Sequence, residues 1–348
     1  MNHKADMAPA LLAWHARHGR HGLPWQRDPT PYRVWISEIM LQQTQVATVI
    51  AYFDRFVARF PELQTLAAAP LDEVLYLWSG LGYYSRARNL HRAAQLVVAD
   101  HGGKLPADVA TLATLPGIGR STAAAIRALS AGDRAAILDG NVRRVLARYF
   151  AVSGVTTKRT VQERLWELAE ACTPESDVAV YTQAIMDLGA TVCIRRRPLC
   201  PVCPLQQHCV ARRTGRQHEI PASRPRAARR TRSVVMLFAR QDDGSVLLER
   251  RAERGVWGGL WCPPQFPSVE AARLFAATRL QAAEVEPQSR TILRHAFTHF
   301  ELEISPLLAR CAGWNGVMDG SPVLWYNPAS PGRLGLPAPV TTLLQSLS

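Results

Sequence analysis

Four cysteines crowd into seventeen residues, Cys193, Cys200, Cys203 and Cys209, in the pattern C-x6-C-x2-C-x5-C. The middle pair closes a tight thiolate turn, and the outer two can reach the same centre from either side. A chain with this pattern has to wrap a loop around a metal centre. The seven cysteines are an odd number, and the opening MNHKADMAPALLAWHARHGR has no long apolar centre, so neither a signal peptide nor structural disulfides are expected. Zinc and a [4Fe-4S] cluster are the two candidate occupants. Zinc ribbons usually pair two C-x2-C knuckles, and only one is present; the flanking prolines and longer loops suit a larger cluster. His208 reads as a bystander, and Cys172, Cys262 and Cys311 as small apolar residues.

Charge locates the partner. The net charge of +13 lies wholly in residues 1–232, which hold 31 basic against 18 acidic residues, while 233–348 is neutral. Arg195–Arg232 contains 11 arginines against the single acid Glu219, an excess that suits a polyanion such as nucleic acid. No apolar run reaches the length a membrane helix needs, so a soluble, intracellular chain is expected. Apolar residues up to about Cys209 recur at helical spacing, as in Val142, Val145, Leu146 and Tyr149. Arg212–Arg232 has no apolar period and reads as a linker. Beyond it, Ser233–Ala239 and Ser245–Leu248 are short strands around an Asp-Asp-Gly turn, Val269–Leu280 is helical, and Phe297–Leu308 alternates like a strand pair. The expected organisation is a helical region at 1–211, a linker at 212–232, and a mixed α/β domain at 233–348 with a mainly antiparallel sheet.

Three motifs carry chemistry. Leu115-Pro116-Gly117-Ile118-Gly119 precedes a helical run, and its glycines allow a tight turn with amides aimed outward at a phosphate. Asp139 stands just before the helix of Val142. Aspartate is a common N-cap, but Asn141 can cap equally well, which would leave the Asp139 carboxylate free. Glu38 follows the helix start Thr30-Pro31 and shares a face with Val34, Trp35 and Leu41. Apolar neighbours disfavour its charged form and suit a general acid near neutral pH.

The strings Leu23-Pro24-Trp25, Ser37-Glu38-Ile39-Met40-Leu41-Gln42-Gln43-Thr44-Gln45 and Leu81-Gly82-Tyr83-Tyr84-Ser85-Arg86 closely resemble the MutY-type adenine DNA glycosylases. The five-residue hairpin core, Asp139 and the four cysteines extend the resemblance over about Leu11 to Cys209, within the endonuclease III superfamily. It implies a mainly α helix-hairpin-helix fold, a six-helix barrel plus iron–sulfur cluster domain, holding one [4Fe-4S] cluster on Cys193, Cys200, Cys203 and Cys209. The implied reaction is removal of a flipped-out adenine from A:8-oxoguanine or A:G mispairs in double-stranded DNA, by a monomer of bacterial, nucleoid-associated type. Glu38 would protonate the adenine, Asp139 would stabilise the oxocarbenium-like sugar, and Asn141 would support Asp139. Trp25, Gln43, Val46 and Gln183 would line the adenine pocket, Tyr83 would wedge into the base stack, and Gly117, Gly119 and Ser121 would grip the backbone. Strand-cutting relatives carry a lysine where Ser121 stands. Serine cannot form a Schiff base, so a monofunctional enzyme is expected. Arg143, where some relatives have lysine, cannot act as an amine nucleophile either.

Gly255–Phe266 resembles the glycine-rich part of the Nudix fold, yet the following helix VEAARLFAATRL lacks the acidic run that metal-dependent pyrophosphate cleavage needs. The C-terminal α+β domain is therefore expected to read the lesion, with Phe297, Thr298 and His299 as contacts. A pyrimidine-directed lyase, a damage-binding scaffold and a Nudix hydrolase fit less well: each conflicts with Ser121, the two carboxylates or the missing acidic run.

Overall fold

A computed structural model describes residues 6–222, 229–280, 285–287, 292–311 and 322–346. The chain divides into two compact units, Met1–Ala68 with Asn89–Pro225, and Ala69–Arg88 with Arg226–Ser348. The helices in order are α1 (Met7–His18), α2 (Pro31–Leu41), α3 (Val46–Arg59), α4 (Leu63–Ala68), α5 (Leu71–Trp78), α6 (Ser85–Asp100), α7 (Val109–Leu112), α8 (Arg120–Ala131), α9 (Gly140–Tyr149), α10 (Arg159–Cys172), α11 (Val178–Thr191) and α12 (Val210–Arg213). The expected linker at 212–232 includes the end of α12 and the start of the first strand, and its 223–228 part lies outside the described residues.

In the first unit α11 is buried along most of its length, the polar Thr182, Gln183 and Asp187 included, and packs against α1, α8 and α9. The expected α9 stripe is its buried face: Val142, Val145, Leu146 and Tyr149 join α11 residues Tyr181, Ala184, Ile185 and Leu188 in one core. Pro31 opens α2, capped by the Thr30 hydroxyl, which accepts from the Arg33 N–H at 3.3 Å.

The second unit is built on β1 (Arg230–Arg240), β2 (Val246–Arg250), β3 (Trp261–Cys262), β4 (Gln265–Phe266), α13 (Val269–Arg279), β5 (Val285–Pro287), β6 (Leu293–Ala296), β7 (Phe300–Arg310), β8 (Val323–Tyr326) and α14 (Ala338–Gln345). The strand order is β3-β2-β1-β7-β5, with β4 on β1, β6 on β7 and β8 on β2. Most pairings are antiparallel as expected, but the longest ladder, β1 on β7 from Arg230↔Phe300 to Arg240↔Arg310, is parallel. The second half of β1 is apolar on both faces: Val235, Leu237 and Ala239 join Ala272 and Ala276 of α13 in one core, while Met236 and Phe238 are buried on the other side. Phe297–Leu308 is not a strand pair. Residues 300–310 form one strand whose antiparallel partner lies upstream at Leu293–Ala296, leaving Phe297, Thr298 and His299 at the hairpin tip.

Candidate active site

Glu38 sits on α2, half-buried, with Val34 and Trp35 fully packed beside it. Burial, with a further push from the charge of Asp139, raises its carboxyl to about 8. Among the described residues no amide or cation lowers it. Asp139 differs in kind. It is itself the N-cap of α9: its Oδ1 accepts the Val142 N–H at 2.7 Å, so the expectation that Asn141 caps and Asp139 stays free is not met. Asn141 lies inside the helix, where its backbone N–H rather than its side chain serves Asp139. Burial raises the Asp139 carboxyl, opposed by the Val142 and Asn141 amides and the Arg144 and Arg143 guanidinium groups. Both carboxyls are thus raised by burial, but only at Asp139 do amides and guanidinium groups oppose the rise.

Asn141 is held by Arg144, whose Nη2 donates to Asn141 Oδ1 at 2.8 Å and also to the Gly189 carbonyl. Arg144 Nε donates to the Cys193 carbonyl at 2.7 Å. One turn on, Arg148 is only 3% exposed. Its guanidinium donates to the Ile194 carbonyl at 2.7 Å, Arg195 at 3.0 Å, Ile220 at 2.9 Å and Cys193 Sγ at 3.4 Å. Helix α9 thus begins at Asp139 and ends laced to the cysteine loop. Neither arginine was singled out by sequence, because in so arginine-rich a chain nothing marks the buried ones. Gly189 was missed as well. A Cβ there would come within 2.6 Å of Asn141 Cβ and 3.0 Å of its backbone, so Gly189→Ala should displace the first turn of α9. We expect about 1–3 kcal/mol of lost stability, read as a lower melting temperature, together with slower excision.

Cys193, Cys200, Cys203 and Cys209 line one small cavity of about 30 Å³, with Arg148 and Arg212 also in its wall. The sulfurs ring this space instead of meeting at a point: among the described residues no three His, Cys, Asp or Glu are placed to hold a single metal ion. Burial pushes the Cys203 thiol up to about 12. Arg195, Arg196 and Arg197 are exposed on the loop.

At the hairpin, Gly117 has φ +80°, a left-handed conformation that favours glycine. Gly119 does not need that freedom. It is the extended N-cap of α8, with open space where a Cβ would stand and no side chain capping the helix. Ser121 Oγ accepts the Leu138 N–H at 2.9 Å, tying α8 to the residue before Asp139. Trp25 is buried edge-on against Phe53 at 5.5 Å. Gln43 is exposed at φ +59°, Val46 opens α3, and Gln183 is buried on α11.

In the second unit Tyr83 projects outward, 43% exposed, at φ +48°. The buried Arg86 guanidinium stacks on Trp78 at 5.4 Å and Tyr83 at 5.6 Å and donates to the Leu81 and Gly82 carbonyls. The Tyr83 hydroxyl lies 2.9 Å from the Thr298 hydroxyl at the hairpin tip. Phe297 stacks on Phe300 with ring centroids 4.5 Å apart, and Thr298 and His299 are exposed.

Residues 36–171 match the HhH-GPD superfamily of base excision DNA repair proteins, and residues 234–346 match a NUDIX domain. An adenine DNA glycosylase of Buchnera aphidicola subsp. Acyrthosiphon pisum is 36% identical over 337 residues, covering 97% of this chain and 96% of the relative. The chain belongs to the adenine DNA glycosylases. The human adenine DNA glycosylase is 44% identical over 223 residues, 62% of this chain and 41% of its own. A thermostable thymine-DNA glycosylase aligns with the structure of this glycosylase at TM-score 0.56 and 28% identity, covering 61% of this chain and 97% of that one. The N-terminal fold of the glycosylase is thus that of the helix-hairpin-helix repair enzymes, and its C-terminal part is Nudix-like. Among its described residues no helix is long and apolar enough to cross a membrane.

Proposed function

We propose that this glycosylase hydrolyses the N-glycosidic bond of a flipped-out adenine mispaired with 8-oxoguanine or guanine in duplex DNA. What carries the reading is the asymmetric carboxyl pair: burial and the charge of Asp139 raise Glu38 to about 8, whereas two amides and the charge of two arginines oppose the rise that burial causes at Asp139. Glu38 gives a proton to the departing base, and Asp139 in its anionic form stabilises the positive charge growing on the sugar. Asn141 supports Asp139 through its backbone N–H. Trp25, Gln43, Val46 and Gln183 line the base pocket.

Gly117, Gly119 and the uncapped start of α8 hold a phosphate, positioning the duplex without reading sequence. Tyr83 enters the base stack, and Phe297, Thr298 and His299 face the base opposite the adenine; the hydroxyl contact between Tyr83 and Thr298 supports their acting together. Cys193, Cys200, Cys203 and Cys209 would hold one [4Fe-4S] cluster. Four soft thiolates spread round a cavity suit it better than a single zinc, whose sulfurs must all lie about 2.3 Å from one point. Bound there, the cluster supplies a rigid cross-link of the loop that carries Arg195–Arg197. Residues 1–211 form the catalytic region, 212–232 the linker and 233–348 the lesion reader, all in a monomer.

Ser121 has no amine and its oxygen is already engaged by Leu138, so no Schiff base forms. The test uses labelled duplexes with adenine opposite 8-oxoguanine or guanine, with and without hot alkali. Strand breaks are expected only after alkali, and faster opposite 8-oxoguanine. Breaks without alkali would contradict the monofunctional reading, equal rates the lesion preference, and no abasic product the activity.

A further inference from the structure

Asp187 on α11 has no exposed surface. Four donors converge on it. The Arg20 N–H donates to Oδ2 at 2.7 Å, Arg20 Nε and Nη2 donate to Oδ1 at 2.8 and 2.6 Å, and Gln183 Nε2 donates to Oδ1 at 2.8 Å. His15 Nε2 is 3.5 Å from Oδ2. The ion pair with Arg20 accounts for the burial of this charge, but not for the glutamine one turn earlier on the same helix.

A carboxylate only accepts hydrogen bonds, so the NH₂ end of the Gln183 amide must face Asp187 and its carbonyl oxygen must face away. Among the described residues Gln183 Oε1 accepts no hydrogen bond. The group that Gln183 leaves facing away from Asp187 is therefore its carbonyl oxygen, an acceptor. The same carboxylate also fixes the segment carrying Trp25. The Arg20 carbonyl accepts Gln26 Nε2 at 3.0 Å, Gln26 Oε1 accepts the Leu23 N–H at 3.0 Å, and Arg33 on α2 donates to the Pro24 carbonyl at 3.0 Å. The turn bearing Trp25 is thus fastened on one side to the arginine of Asp187 and on the other to the helix of Glu38.

We infer that Asp187 is a specificity-determining positioning residue: by locking the Gln183 amide with its oxygen outward, it makes the base pocket select a purine with an amino group at C6 over one with an oxo group there. The inference rests on the proposed place of Gln183 in that pocket. At C6 adenine presents an amino donor to Oε1, whereas hypoxanthine, which differs in its 6-oxo group and the proton on N1, presents an acceptor there that repels it.

The test is the ratio of single-turnover excision rates for adenine and hypoxanthine in otherwise identical duplexes opposite guanine. The wild-type protein should favour adenine. Asp187→Asn can turn an NH₂ group towards Gln183 and reverse its amide. It should shrink the ratio about tenfold, the effect of one hydrogen bond of about 1.4 kcal/mol. Arg20→Gln removes the ion pair but leaves the acceptor for Gln183, so it should lower the melting temperature and leave the ratio. If Asp187→Asn alone does not fold, the double variant with Arg20→Gln, compared with Arg20→Gln alone, gives the same measurement without an unpaired arginine. Gln183→Ala separates the two layers of the argument. If it changes the ratio and the Asp187 variants do not, the inference fails and the pocket reading stands. If no variant changes the ratio, the pocket reading fails and the inference with it.

Discussion

Replacing Asp139 by asparagine is expected to cut single-turnover adenine excision by about 10²- to 10³-fold, the usual cost of removing one preorganised electrostatic contact to a charged transition state, while leaving the fold intact. The separation of effects follows from the position of Asp139. Its Oδ1 caps α9 through the Val142 N–H, and asparagine caps a helix about as well as aspartate. What asparagine lacks is the negative charge. The reacting sugar becomes positive as the bond to the base breaks, and a neutral amide cannot offset that charge. Asp139→Ala should lose both functions, adding about 1 kcal/mol of instability from the missing cap. Melting temperature and duplex binding separate the two variants, and excision kinetics report the charge. An asparagine variant that keeps more than a tenth of the rate would remove Asp139 from the chemistry.

Much of this site was legible in the sequence, for definable reasons. Helical period alone placed Glu38 on the face of Val34 and Trp35, and the structure packs both beside it. Thr30-Pro31 marked the start of α2 because capping and a fixed φ act locally. The same local logic failed at Asp139, where aspartate and asparagine two residues apart are both competent caps and only the fold chooses between them. The hairpin tip was mistaken for part of a strand pair since alternation in Phe300, Leu302 and Ile304 does not say where the partner strand lies. Least legible were contacts far apart in sequence. Arg148 meeting the carbonyls of Ile194 and Arg195, Gly189 under Asn141, and Asp187 beneath Arg20 have no local signature. A buried arginine and a solvated one look alike in a sequence with 41 basic residues.

Glu38→Gln should be about as damaging as the aspartate change, by about 10²- to 10⁴-fold for the loss of a general acid, and it should also alter the shape of the pH profile. In the wild-type protein Glu38 releases its proton only near pH 8, since burial and the charge of Asp139 both oppose ionisation. Excision should therefore hold up through neutral pH and fall as pH rises through about 8, where the donor is spent. The glutamine variant has no proton to lose and its residual rate should be flat across that window. The stability linkage has the same direction. A carboxyl whose folded value is raised from 4.5 to about 8 stabilises the fold fully below 4.5, and that contribution is lost as pH rises through 8. Glu38→Gln should consequently flatten the fall in melting temperature between about pH 5 and pH 8. Single-turnover rates from pH 6 to 10 and thermal melts from pH 5 to 9 measure the two effects. A wild-type rate that climbs through pH 8 would mean that the ionised form of Glu38 is the active one, making it a base and reversing the roles assigned to the two carboxyls.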